Sequence, residues 1–251
     1  GFATPSGLYR YARAPMGLNR MPAVFQKLME LILAGLTWQC ASVFFDDLVI
    51  YSRTFEDHLE HLTLVLNRLE AAGITANPQK CVFATDSFKY LGHIAARDGI
   101  RMDPAKVDAI LGLRSPRTVK EVRSFLGMAN FYSKFLPQLA VVAAPLYDLT
   151  GKETAKKWAR DPSMWGEAQE EAFRTVKALL TCSPVLGYAD FRKPFLLVCD
   201  ASDIGMGCTL AQVDEDDEGN KREKPIAFYS KKLNSAQRRY TPTEKEGLAV
   251  G

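Results

Sequence analysis

Histidine and cysteine are scarce in this 251-residue chain, three and five respectively, and their spacing leaves out much metal and disulfide chemistry. Cys40, Cys81, Cys182, Cys199 and Cys208 are far apart, odd in number and without a C-x-x-C pair. Neither a zinc cluster nor a disulfide framework is indicated, and reduced, mostly buried thiols are expected. His58 and His61 stand three apart but have no third ligand nearby, and the leucines around them point to helix packing. No apolar run approaches the roughly 18 residues that cross a bilayer. No signal peptide is visible, so an intracellular protein, neither secreted nor membrane-spanning, is expected; a start at Gly1 rather than Met leaves a lost N-terminal address open. Internal repeats are absent too. A charge excess of one sign is also lacking: the net charge is +3, too small by itself to diagnose a nucleic-acid partner.

What the chain does hold is an ordinary globular composition, 47% hydrophobic and 24% charged, over a length sufficient for two domains. Its most informative stretch is Val43-Phe44-Phe45-Asp46-Asp47-Leu48-Val49-Ile50-Tyr51-Ser52, where two adjacent carboxylates interrupt a β-prone apolar run. Vicinal aspartates at a strand turn cannot both be buried unpaired, because desolvation costs several kcal/mol per ion. They are either the solvated tip of an ordinary hairpin or hard oxygen ligands suited to Mg²⁺, which binds through one or two carboxylates plus substrate phosphates. Charge also clusters elsewhere. Between Arg114 and Lys134 lie five cations, Arg114, Arg117, Lys120, Arg123 and Lys134, against the single anion Glu121. The acidic run from Asp214 to Glu218, beside Gly219-Asn220, reads as a solvated hairpin loop.

Periodicity predicts an α+β chain. Residues 8–13 alternate as a strand, and Pro15 and Gly17 break it. Pro22 suits the first turn of a helix through Phe25, Leu28, Met29, Ile32 and Leu33. A hairpin around Asp46-Asp47 follows, then an amphipathic helix over 55–72 that ends at Gly73. Segments 81–83 and 90–94 bracket another hairpin. After Gly99 the pattern becomes helical: Asp103-Pro104 opens one helix and the Thr118-x-x-Glu121 capping box a second, with a third over 169–180. Strands return over 195–199, 205–212 and 225–230, and a last helix begins near Thr243.

Five ordered segments are similar to one family. Residues 43–52 resemble the aromatic-x-Asp-Asp hairpin of reverse transcriptases, and Ala14-Pro15-Met16-Gly17-Leu18-Asn19-Arg20-Met21-Pro22-Ala23-Val24-Phe25-Gln26 resembles the loop and helix start before it. Phe88-Lys89-Tyr90-Leu91-Gly92-His93 is similar to the primer grip of those enzymes. Arg123-Ser124-Phe125-Leu126-Gly127-Met128-Ala129-Asn130-Phe131-Tyr132 is similar to the thumb of Ty3/gypsy-type long-terminal-repeat retrotransposons. Pro194-Phe195-Leu196-Leu197-Val198-Cys199-Asp200-Ala201-Ser202 resembles the first strand of the attached ribonuclease H domain. Phe44 replaces the usual Tyr, Phe45 is bulkier than the usual aliphatic, and Arg20 stands for the usual Asn.

The resemblance implies a partial reverse-transcriptase palm at 1–96, a helical thumb or connection at 97–183 and a truncated ribonuclease H-like domain at 184–251. It implies an RNA-directed DNA polymerase with two-metal-ion nucleotidyl transfer and RNA-strand hydrolysis, using Mg²⁺. Asp46 would be the principal polymerase ligand with Asp47 beside it, because consecutive strand side chains diverge. Asp200 and Glu246 would serve the nuclease. Asp200 is otherwise simple turn chemistry, and Thr243-x-x-Glu246 otherwise a capping box. A third palm carboxylate is expected upstream of Gly1 and two nuclease aspartates beyond Gly251, where the last helix should fray. Partners would be RNA template, DNA primer, RNA–DNA hybrid and deoxynucleoside triphosphates. Gly17, Gln26, Tyr90, Leu91, Gly92 and His93 would contact nucleic acid. Arg117, Lys120 and Arg123, three apart, would share one helix face, either merely solvated or laid along duplex phosphates. A catalytically inactive nucleic-acid-binding remnant is the alternative.

Overall fold

The structure, a computed structural model, describes every residue except Ala14, Met16, Ala159, Arg160, 216–219 and Gly251, and only the backbone at Pro162. The expected helix fraying at Gly251 and most of the acidic loop after Asp214 lie outside the described residues. Two compact units emerge, Gly1–Ala84 and Thr85–Gly251.

The first unit opens with a hairpin, β1 (Phe2–Thr4) and β2 (Gly7–Tyr9), in which Thr4 faces Gly7. The strand expected over 8–13 stops at Tyr9, which faces Phe2. Helix α1 (Met21–Ile32) carries its proline in the first turn as expected. A second hairpin follows, β3 (Ala41–Phe44) and β4 (Asp47–Ile50), and then α2 (Phe55–Ala71), whose N-cap Thr54 accepts from the Asp57 amide. The core is small: Met29, Leu33 and Leu36 pack with Cys40, Ala41, Val43, Val65 and Leu69. Leu33 and Val65 are wholly buried, each contributing roughly 1.5–3 kcal/mol. His58 and His61 both turn Nδ1 toward the Ser52 hydroxyl, at 3.4 and 2.7 Å.

In the second unit, β5 (Ser87–Tyr90), β6 (His93–Ala96) and β7 (Gly99–Met102) form an antiparallel meander. The hairpin expected to pair 81–83 with 90–94 is shifted: 81–83 form no strand, Val82 and Phe83 are exposed, and 87–90 take their place. The chain does not turn helical at Gly99 either, since β7 comes first. Gly99 has φ +143° and Leu186 bridges Ile100, so a Cβ at 99 would sit 2.2 Å from the Leu186 carbonyl oxygen.

Helix α3 (Pro104–Leu111) starts at the Asp103 cap, and α4 (Val119–Phe131) at Thr118. Three short helices went unseen in the sequence, α5 (Leu139–Val142), α6 (Ala144–Leu149) and α7 (Lys152–Trp158), ahead of α8 (Glu167–Thr181). Val122, Phe125, Leu126 and Ala129 of α4 point inward as their spacing predicted, meeting Leu146, Phe173 and Val176 in the main core. Strands β8 (Leu196–Ala201), β9 (Gly205–Glu215) and β10 (Lys221–Lys232) form an antiparallel sheet, and α9 (Pro242–Val250) packs on β8 and β9. All five cysteines are unpaired, but only Cys40 is buried, against the expectation of mostly buried thiols. Among the described residues no helix is long and apolar enough to cross a membrane.

Gly99→Ala is expected to lower stability by roughly 2 kcal/mol or more, combining backbone strain with a clash. Urea unfolding checks this; an unchanged midpoint would show that the Leu186 segment moves aside freely.

Candidate catalytic carboxylates and nucleic-acid segments

Phe44 faces Asp47 across the β3–β4 ladder, so the link between them is only Phe45-Asp46. Such a tight turn needs left-handed backbone, and Phe45 supplies it at φ +53°, uncommon for a large side chain. One side chain from α1 holds that conformation. Gln26 accepts from the Phe45 amide at 2.5 Å and donates to the Val43 carbonyl at 3.2 Å, while also donating to Glu30 at 2.8 Å. Phe44 and Phe45 pack edge to face, 4.6 Å between centroids. Asp46 and Asp47 are exposed, and among the described residues no cation pairs with either. Gln26, expected to touch nucleic acid, engages its amide with the turn backbone.

Asp200 lies in β8 opposite Gly207, exposed, and is approached by Gln138 Nε2 at 3.5 Å. Gln138 sits at φ +51° just before α5, close over β9, where a Cβ on Gly207 would stand 3.3 Å from its Cγ. Nothing in the sequence pattern singled out Gln138. Glu246 is exposed on α9. Its capping-box explanation fails: Thr241 and Glu244 form that box, with the Thr241 amide and hydroxyl both donating to the Glu244 carboxylate. The helix therefore begins at Pro242, and Glu246 is left without a capping task. Among the described residues no three His, Cys, Asp or Glu side chains converge as a metal cluster.

Residues 2–95 match the family "Reverse transcriptase (RNA-dependent DNA polymerase)" and 165–251 the "RNase H-like domain found in reverse transcriptase". The chain is 36% identical over 253 residues to the Retrovirus-related Pol polyprotein from transposon opus of Drosophila melanogaster, covering 99% of this chain and 25% of that protein. It is 32% identical over 249 residues to the Transposon Tf2-3 polyprotein of Schizosaccharomyces pombe, covering 99% and 18%. The chain belongs to the Ty3/gypsy-type retrotransposon Pol family. It spans about a quarter or less of those relatives. The fold is similar to the foamy viral protease-reverse transcriptase in complex with RNA/DNA hybrid (TM-score 0.76, 24% identity, 96% of this chain and 31% of that one). The same viral protein in complex with dsDNA gives a TM-score of 0.77 at 26% identity over 93% and 46% of the two chains.

Tyr90-Leu91-Gly92-His93, the segment that resembles a primer grip, forms the tight β5–β6 turn, with Leu91 at φ +49° and Gly92 at φ +79°. Two residues at the end of α4 hold it. The Tyr132 hydroxyl donates to the Gly92 carbonyl at 3.2 Å, and Phe131 stacks on His93 at 5.4 Å. A Cβ at Gly92 would lie 3.1 Å from the Phe131 ring. His93 Nδ1 is buried without a partner, and burial, then the nearby Lys134 ammonium, lowers its pKa below the ordinary 6.5. The basic trio does not share a helix face. Arg117 precedes the Thr118 cap, so only Lys120 and Arg123 belong to α4, and Arg123 donates to the Thr150 carbonyl at 2.9 Å. All three are exposed. Gly17 takes φ +88°, the permissive role expected of it, while neighbouring Ala14 and Met16 lie outside the described residues.

Two outcomes are expected. Gln26→Ala should speed hydrogen exchange of the Phe45 amide and destabilise the first unit by roughly 1–2 kcal/mol, the scale of a lost partly buried hydrogen-bond pair; unchanged exchange would remove Gln26 from the turn's support. For His93, the depressed folded-state pKa means the unfolded chain takes up the proton first. Stability is therefore present above about pH 6.5 and falls as pH drops through the lower folded value. Urea midpoints between pH 7.5 and 5 should fall more steeply in wild type than in His93→Phe, and parallel curves would contradict this.

Proposed function

We propose that this chain carries palm (1–96), thumb or connection (97–183) and ribonuclease H-like (184–251) segments of a retrotransposon RNA-directed DNA polymerase. The observation that carries this reading is the Asp46-Asp47 turn: two exposed, cation-free carboxylates on a pinned hairpin inside the stretch matching the reverse transcriptase family. Adjacent hard oxygens of this kind fit Mg²⁺, which takes one or two carboxylates together with substrate phosphates. Asp46 and Asp47 would hold it for polymerisation, and Asp200 with Glu246 for hydrolysis. When bound, the ions supply electrostatic stabilisation of the attacking and leaving oxygens of an in-line displacement.

The chain's own residues do the positioning. Gln26 keeps the carboxylate turn from swinging, and the Tyr90–His93 turn, braced by Phe131 and Tyr132, presents a fixed edge to a primer strand. Arg117, Lys120 and Arg123 offer charge to duplex phosphates. RNA template, DNA primer, RNA–DNA hybrid and deoxynucleoside triphosphates are the partners that fit. The foamy viral neighbours, whose complexes hold an RNA/DNA hybrid and dsDNA, support that choice.

A second reading is a catalytically inactive nucleic-acid-binding remnant, supported by the exposed cations Arg117, Lys120 and Arg123. It would bind nucleic acid without turnover. Mg²⁺-dependent primer extension by the purified polypeptide would overturn that reading.

In a polymerase-competent polypeptide containing this chain within its own flanking sequence, Asp46→Asn should cut primer extension roughly a thousand-fold with folding intact, since ligand removal acts on the whole centre. Near wild-type extension would show that Asp46 is no ligand. Replacing Arg117, Lys120 and Arg123 with Ala should lower the salt slope of duplex binding by up to about three, near one per phosphate contact. An unchanged slope would leave these residues as solvated surface.

A further inference from the structure

Lys245 is the one lysine classed as buried among the described residues, 7% exposed, on the same face of α9 as Ala249, four residues on. Its ammonium makes a 2.6 Å ion pair with Asp203, whose own side chain is 94% exposed. Asp203 lies in the β8–β9 turn, and Ser202 makes that turn stiff. The Ser202 hydroxyl accepts from the Ile204 and Gly205 amides at 3.3 and 3.1 Å and donates to the Gly205 carbonyl at 2.9 Å. Farther along α9, the Cys208 thiol donates to the Ala249 carbonyl at 3.1 Å. The helix is thus attached to the sheet near both ends. Sequence position gives the ion pair its meaning: Asp203 is three residues after Asp200, and Lys245 immediately precedes Glu246.

We propose that Lys245 is a positioning residue, latched to Asp203 so that α9 holds Glu246 at a fixed place relative to Asp200. This rests on reading those two carboxylates as metal ligands. The pair is asymmetric. A buried ammonium deprived of its partner carries an uncompensated charge and must move toward water, which lifts the start of α9; an exposed carboxylate deprived of its partner is simply hydrated. Removing Asp203 therefore acts on Glu246 without touching either ligand.

The test uses the full chain, with amide hydrogen exchange across α9 and calorimetric titration with Mn²⁺. Asp203→Asn, on the exposed partner and so compatible with folding, should accelerate α9 exchange at least tenfold while leaving α8 unchanged. It should also weaken the Mn²⁺ uptake that Asp200→Asn abolishes. Adding Lys245→Met to Asp203→Asn removes both charges and should bring α9 exchange back to within about threefold of wild type. Unchanged α9 exchange in Asp203→Asn, or no recovery in the double variant, overturns the latch. If exchange responds as expected but Asp200→Asn leaves Mn²⁺ uptake unaltered, the latch stands and the nuclease reading of Asp200 and Glu246 falls.

Discussion

Hairpins with strands of four residues do not hold a tight turn unaided, because so few ladder bonds cannot offset the entropy of ordering them. The Asp46-Asp47 hairpin and the Tyr90–His93 turn both have strands of this length, and each is held by a side chain from in or beside a helix. Gln26 of α1 bonds the Phe45 turn, and Tyr132, just past α4, bonds Gly92. Both turns use left-handed backbone at a bulky residue, Phe45 and Leu91. Such conformations persist only where the surroundings over-determine them. The longer β8–β9 hairpin has its turn hydrogen-bonded by Ser202 and is tied to α9 by Lys245. A common constraint therefore runs through both units: short turns are held by side chains that reach them from neighbouring elements.

Electrostatics separates Asp46, Asp47, Asp200 and Glu246 from the carboxylates held in ion pairs. Asp103 is neutralised by Lys89 at 2.9 Å, and Asp190 is pulled down to about 2, chiefly by its hydrogen bond from Arg192. Glu170 accepts from Trp165, Ser115 and Arg174 and is lowered accordingly. Asp46, Asp47, Asp200 and Glu246 take part in none of these ion pairs, and the side chain approaching Asp200 is a neutral amide. Carboxylates left to water keep their charge available to an added cation. Those locked to arginine or lysine do not.

The fold was legible where local chemistry decides it. Caps at Asp103 and Thr118, the proline opening α1 and the inward stripe of α4 each follow from nearest neighbours. What failed depends on distant partners. The strand expected over 8–13 ends where β1 ends, and the 81–83 strand gives way to 87–90. Strand β7, four residues opening at Gly99, is too short to announce itself. The short helices α5–α7 lack the length for a periodic signal. Among the candidate residues, Asp46 and Asp47 were visible as carboxylates inside an apolar run and Asp200 at the end of one, while Glu246 stood out only through its resemblance to the family's helix carboxylate. Gln138, Lys245 and Asp203 were not, since polar residues on exposed segments look alike until the fold sets their partners. The three-residue spacing of Arg117, Lys120 and Arg123 misled because the helix starts only after Thr118.

The central claim is that two pairs of exposed carboxylates, each on a laterally braced element, are cation sites. Crystals of this chain soaked in Mn²⁺ and measured at the manganese absorption edge address it directly. Anomalous difference peaks against Asp46 and Asp47, and between Asp200 and Glu246, at oxygen distances near 2 Å are the result expected. Peaks confined to other acidic residues, with these four left in water, would contradict it.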